Sequence, residues 1–256
     1  MLEGMYIIGF SGMILLPIVT WIFFTRKLRL SWKLLLAGGL TFIASQIPHI
    51  PLVAALGTWM AGNSILVNAI VLGLLAGLFE ETARYILFKF ILKKTRTWQE
   101  GIFVGLGHGG TEALLLGIAA GAAFFTMLAY RSIDLSTVPS IPPEQVELAK
   151  QQVAAYWAAP AYIPLLGFVE RIFAMCLHVC LSVMVLLAIT TNKPIWFWVA
   201  LLWHALVDAV AVYSMQYIGA LGVEGLVAVF AVISIVWVFA LRPMFPAPPV
   251  NEPVAA

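Results

Sequence analysis

Charge is what this chain has least of. Asp, Glu, Lys and Arg make up 10% of it, 62% is hydrophobic, and the mean hydropathy is +1.01. An average soluble domain is about half apolar and about a quarter charged, so this balance excludes an ordinary water-soluble globule. The net charge of +2 gives no footing for nucleic acid. Cysteine is nearly absent: Cys176 and Cys180 lie four apart in one apolar run, which excludes a disulfide framework and reads as two small core hydrophobes. His178 sits between them, but two residues along a helix turn through about 200°, so it points away from both. There is no ten-residue polar/apolar alternation, hence no outer-membrane barrel. The opening Met1-Leu-Glu-Gly-Met5 has no basic stretch, so a cleaved signal peptide is not expected. His-Glu-x-x-His, an internal repeat and a dividing linker are missing too.

What fills the chain is apolar runs long enough for a bilayer, which takes roughly 20 residues per span. About seven windows qualify, at 4–25, 34–57, 65–92, 101–130, 160–190, 195–217 and 223–241. The expected fold is all-α, a polytopic helical membrane protein forming a single domain over 1–241. Basic residues follow alternate spans: Arg26, Lys27, Arg29 and Lys33, then Lys93, Lys94 and Arg96, then Lys193, then Arg242. The opposite loops hold only Arg131 and Lys150, so the positive-inside rule predicts an outside N-terminus and a cytoplasmic C-terminus. The outer loop 131–159 contains Ser140-Ile-Pro-Pro-Glu144, a helix start, and then Val146, Ala149, Val153 and Trp157 on one face. That pattern predicts an amphipathic helix over the bundle mouth, with substrate gating as the alternative. Residues 242–256 form a proline-rich cytoplasmic tail.

Ionisable groups inside spans are costly and mark sites. The third span carries Glu80, Glu81 and Arg84; the fourth His108 and Glu112; the fifth Glu170, Arg171 and His178; the sixth His204 and Asp208. Counted from the cytoplasmic ends at about 1.5 Å per residue, Glu81, Arg84, Glu112, His178 and His204 share a depth of roughly 12–18 Å. Spacing of three, four or seven puts Arg84 beside both glutamates, His108 with Glu112, Arg171 with His178, and His204 with Asp208. Gly105, Gly107, Gly109 and Gly110 thin the helix around His108 for close approach. Gln46 and His49, beside Pro48 and Pro51, read as a kinked polar patch, and Glu224 as a solvated interfacial acid.

These residue types suit water-activated amide hydrolysis. Two adjacent carboxylates at low dielectric need a counter-charge. Arg84 supplies it to one, which leaves the other to take a proton from water. Histidines at that depth can stabilise an oxyanion, with Asp208 orienting His204. Two or three histidines with a glutamate also form a zinc set, so zinc stays open as a cofactor, although a metal-free site is preferred. A proton-coupled transporter using the same cavity is the functional rival, and a non-catalytic scaffold binding transmembrane segments is another.

Glu80-Glu81-x-x-Arg84 in one span and His204-x-x-x-Asp208 in a later one resemble the type II CAAX-protease and bacteriocin-processing superfamily of intramembrane glutamic proteases. Gly107-His108-Gly-Gly-x-Glu112 and Glu170-Arg171-x-x-Ala174-x-x-x-His178-x-x-x-Ser182 resemble, more closely, its YhfC branch of bacterial membrane proteins. The likeness covers the third to sixth spans, about half the chain. It implies Glu80 as the base that activates water, Glu81 as its support, Arg84 as the charge partner and His178 as the lone histidine. His204 and Asp208 would be the oxyanion-side pair, Asp208 standing where many members have Asn. His108 and Glu112 belong to the closer branch. Arg84 stands one residue nearer the glutamates than in prenyl-processing enzymes, which turns the expectation away from prenylated substrates. What remains is a multi-pass protein of the bacterial plasma membrane acting on a membrane protein or peptide, of unspecified oligomeric state.

Overall fold

The computed structural model describes residues 1–246 and is helical throughout, with no strand among those residues. In chain order the helices are α1 (Leu2–Leu28), α2 (Trp32–Ala55), the short α3 (Gly57–Ala61), α4 (Ile65–Ile86), α5 (Trp98–Tyr130), α6 (Val146–Ala158), α7 (Ile163–Thr190) and α8 (Ile195–Leu241). Six of them are long and apolar enough to cross a membrane. Their starts carry ordinary signals: Ser31 and Ser64 accept from Lys33 N and Val67 N, and Thr97 with Glu100 closes a capping box. One π-helical turn, Leu87–Ile91, extends α4.

The expected windows 195–217 and 223–241 are not separated by a loop. They are two arms of α8, which reverses at Gly219 (φ 63°, ψ −179°). Trp203 packs on Phe230 and Trp237 with ring centroids 5.3 and 4.7 Å apart, and its indole donates to Ser234 Oγ at 3.0 Å. In a straight helix, residues 31 apart would be separated by about 46 Å, so the arms run antiparallel. Only glycine adopts that backbone conformation without strain.

α7 is the centre of the bundle. Leu181–Ala188 are buried on every side, as a helix apolar all round requires. α1, α4, α5 and both arms of α8 surround it. Outer faces carry Ile7, Ile8, Val19, Leu40, Ile47 and Val232 exposed, which suits contact with lipid tails rather than water.

In the connection between α5 and α7, α6 forms where expected and turns Val146 and Val153 inward, with Ala149 and Trp157, against Leu135, Met127 and Tyr130. Trp157 donates to Met127 O at 3.2 Å, and Tyr6 donates to Tyr156 O at 3.0 Å with the two rings stacked at 4.3 Å. The helix is thus pinned over the ends of α1 and α5. At the opposite end Trp98 donates to Val238 O at 2.7 Å, and Arg242 lies over its ring. Of the expected tail, Arg242–Met244 make a short 3-10 turn, and residues 247–256 lie outside the described part.

Candidate active site

Glu80, Glu81 and Arg84 occupy the last turns of α4, where their side chains face inward and are buried. Three imidazoles surround Glu80. Nε2 of His108, from α5, donates to Glu80 Oε2 at 3.0 Å; His178 Nδ1, from α7, and His204 Nε2, from α8, each lie 4.0 Å from that oxygen. The other oxygen accepts from the Gln46 amide at 3.2 Å, so α2 joins the site as well. His49 Nδ1 contacts Gln46 Oε1 at 3.1 Å and its ring stacks on Phe79.

Arg84 binds Glu81 tightly through Nη1 and approaches Glu80 at 3.6 Å through Nη2. The same Nη2 donates to His178 Nδ1 at 2.7 Å. An arginine cannot accept, so this nitrogen of His178 carries no proton and Nε2–H donates to Glu112 Oε2 at 2.5 Å. Glu112 is held from its far side by Arg171 Nη1 at 2.5 Å, and Arg171 also pairs with Glu170. His204 Nδ1 donates to Glu81 Oε1 at 2.8 Å, while its Nε2 is 3.5 Å from Asp208. The shorter, orienting contact to His204 is therefore from Glu81, not from Asp208 as the four-residue spacing suggested.

All eight expected site residues are brought into one cluster. Close approach of α5 to α7 makes it possible: a Cβ at Gly109 would stand 2.9 Å from His178 Cδ2. A cavity of about 110 Å³ opens beside the cluster, lined by Glu80, Glu112, His178, His204 and Asp208 together with Glu170 and Arg171. That is room for a few waters, and polar groups line it.

Sequence reasoning left Arg171 and Gln46 without a role. Arg171 had a signal, the Glu-Arg pair seven residues before His178; Gln46 had only its polarity within an apolar span. Glu224 is a correction: it is partly buried rather than solvated, and its Oε2 is shielded without a protein partner.

A divalent cation can be tested against this donor set. Glu80, His178 and His204 offer ligand atoms that all lie within 4.8 Å of one another. Two histidines and a glutamate are a catalytic zinc set. Each histidine has its other nitrogen on a carboxylate, Glu112 or Glu81, as metal-bound imidazoles do. The donors fit, with one adjustment: Arg84 must release His178 Nδ1.

Fold and site together define a multi-pass helical membrane protein with a buried acid–imidazole centre. Residues 12–231 match the family described as YhfC intramembrane metalloprotease, and the chain belongs to that YhfC family. It is also 31% identical, over 95% of its length and 98% of the relative's, to the Bacillus subtilis (strain 168) protein called "Uncharacterized membrane protein YhfC". No solved structure matches significantly.

Proposed function

We propose that this protein is an intramembrane endopeptidase of the glutamic type, allied to the CAAX-protease and bacteriocin-processing superfamily. Its substrate is a peptide bond of a membrane-embedded or membrane-adjacent protein or peptide. The observation that carries the reading is Glu80, buried yet on a polar cavity, with three imidazoles from three other helices around one oxygen. The family description supports a protease, and its word metalloprotease names the metal-dependent class taken up as the second reading below. In this reading Glu80 takes a proton from a water in the cavity. The water oxygen bonds to the scissile carbonyl carbon, the C–N bond breaks, and the proton passes to the leaving amine. His204, held as an imidazolium between Glu81 and Asp208, is assigned to donate its Nε2–H to the developing oxyanion and keeps that proton throughout. Arg84 balances Glu81 and holds the His178 tautomer, while His108 and Gln46 fix the Glu80 carboxylate. The protein sits in the bacterial plasma membrane, N-terminus outside and C-terminus cytoplasmic.

A metal-dependent variant is the second reading, favoured by the His178–His204–Glu80 set. If a cation is held there, it would polarise the carbonyl and acidify water. The Arg84 contact to His178 weighs for the metal-free form, because a guanidinium already occupies that lone pair. Elemental analysis of protein purified without chelator decides between them. Well under one equivalent of zinc, with cleavage unaffected by EDTA, is expected; one equivalent that disappears in His204→Ala would overturn the metal-free form.

A further inference from the structure

α1 and α2 are joined by a short turn, yet they splay apart below it and pack on α5 rather than on each other. The gap is an apolar groove of about 610 Å³. Ile22 walls it on α1, Leu36, Leu40 and Ile43 on α2, and Thr111 of α5 forms part of its floor. From Trp32 at its mouth to Ile43 it spans eleven residues of α2, about 16 Å at the helical rise. One leaflet of a bilayer core is about 15 Å deep, so the groove has the reach of a single acyl chain. A second, shallower groove of about 600 Å³ lies along α1 by Val19, Ile22 and Phe23.

Arg26 lines both grooves. It is exposed, and among the described residues its side chain makes no ion pair. Lys27, Arg29 and Lys33 follow it closely in the chain, with no acidic residue between positions 26 and 33. Trp32, 60% exposed, sits at the same end, where an indole favours the headgroup level.

We propose that this is a binding site for one anionic glycerophospholipid of the surrounding membrane. One acyl chain fills the α1–α2 groove, the other lies along α1, and the phosphate pairs with Arg26, supported by Lys27. An apolar groove and an apolar strip of α1 that meet at one unpaired guanidinium match a two-chained ligand with a single negative head, and the surplus of cations selects against a zwitterionic one. The site is separate from the acid–imidazole centre and does not depend on the reading of its chemistry.

The test is native mass spectrometry of the full chain released from mixed micelles with equal dioleoylphosphatidylglycerol and dioleoylphosphatidylcholine. The wild type is expected to retain one phosphatidylglycerol in preference to phosphatidylcholine. Arg26→Gln is expected to lower that retention about fivefold, which corresponds to about 1 kcal/mol for one juxtamembrane cation. Leu40→Trp, which fills the groove from a lipid-facing position and leaves the charge alone, is expected to lower it as well. Equal retention of the two lipids, or unchanged phosphatidylglycerol retention in either variant, overturns the site.

Discussion

Arg84 Nη2 lies 2.7 Å from His178 Nδ1, and this contact between α4 and α7 sets the proton arrangement of the whole centre. Because the guanidinium can only donate, His178 must turn its N–H toward Glu112, which in turn is clasped by Arg171. Two cations and one carboxylate thus fix one imidazole, and Glu80 is left facing the cavity beside it.

Glu80→Gln keeps the size and shape of the side chain but removes the proton acceptor and turns one accepting oxygen into a donating NH2. Peptide cleavage is expected to fall by at least about 100-fold, the lower end for a lost general base. Comparing membrane proteomes of cells carrying wild type and Glu80→Gln should reveal an uncleaved protein that accumulates only with the variant. Unchanged processing would remove Glu80 from the role of base.

Arg171→Met leaves the largely but not fully buried Glu112 without its cation. Breaking such a pair costs about 3–5 kcal/mol, so the thermal midpoint in detergent should drop clearly. Arg171→Met with Glu112→Gln should recover part of that loss, because position 112 then carries no uncompensated charge and Glu170, also left without Arg171, is 43% exposed to solvation. A double variant as unstable as the single one would contradict the pairing.

Gly109→Ala places a methyl group 2.9 Å from the His178 ring, and overpacking of this kind costs about 1–3 kcal/mol. The displaced ring should also lose Arg84 or Glu112, so cleavage should fall with stability. Gly225→Ala is the control: nothing lies within 4 Å of its added carbon, and the helix should gain about 0.5–1 kcal/mol.

Gly219→Ala isolates backbone strain, since open space surrounds the position and only the dihedral angle is at issue. A loss of about 1–3 kcal/mol is expected. It should appear in proteolysis as faster cutting at the α8 reversal, with the Trp203–Ser234 contact loosened. Stability equal to the wild type would mean that the arms hold their turn without help from glycine.

Much of this could be read along the chain. The windows at 4–25, 34–57 and 101–130 reappear within a few residues as α1, α2 and α5, because the cost of burying a span in lipid is a sum over its own side chains. The α6 helix was legible for a similar reason, from Pro142-Pro143 and the Val146–Val153 spacing. Helical periodicity also put Glu80 and Arg84, or Arg171 and His178, on common faces. The reversal at Gly219 was not legible, since a single glycine between two apolar runs reads as a loop as readily as a one-residue turn.

The sequence by itself determined that there are membrane-crossing helices, where they lie, and which few charged groups they carry. Each of those properties depends on residues within a turn or two of one another. Only the tertiary structure decided the partners: Glu81 rather than Asp208 on His204 Nδ1, Glu112 on His178, His108 and Gln46 on Glu80, and Arg171 as a second cation. Those choices depend on how far each helix is rotated about its axis and how closely α5 approaches α7. That geometry comes from packing between residues 28 to 123 positions apart, and no local pattern encodes it.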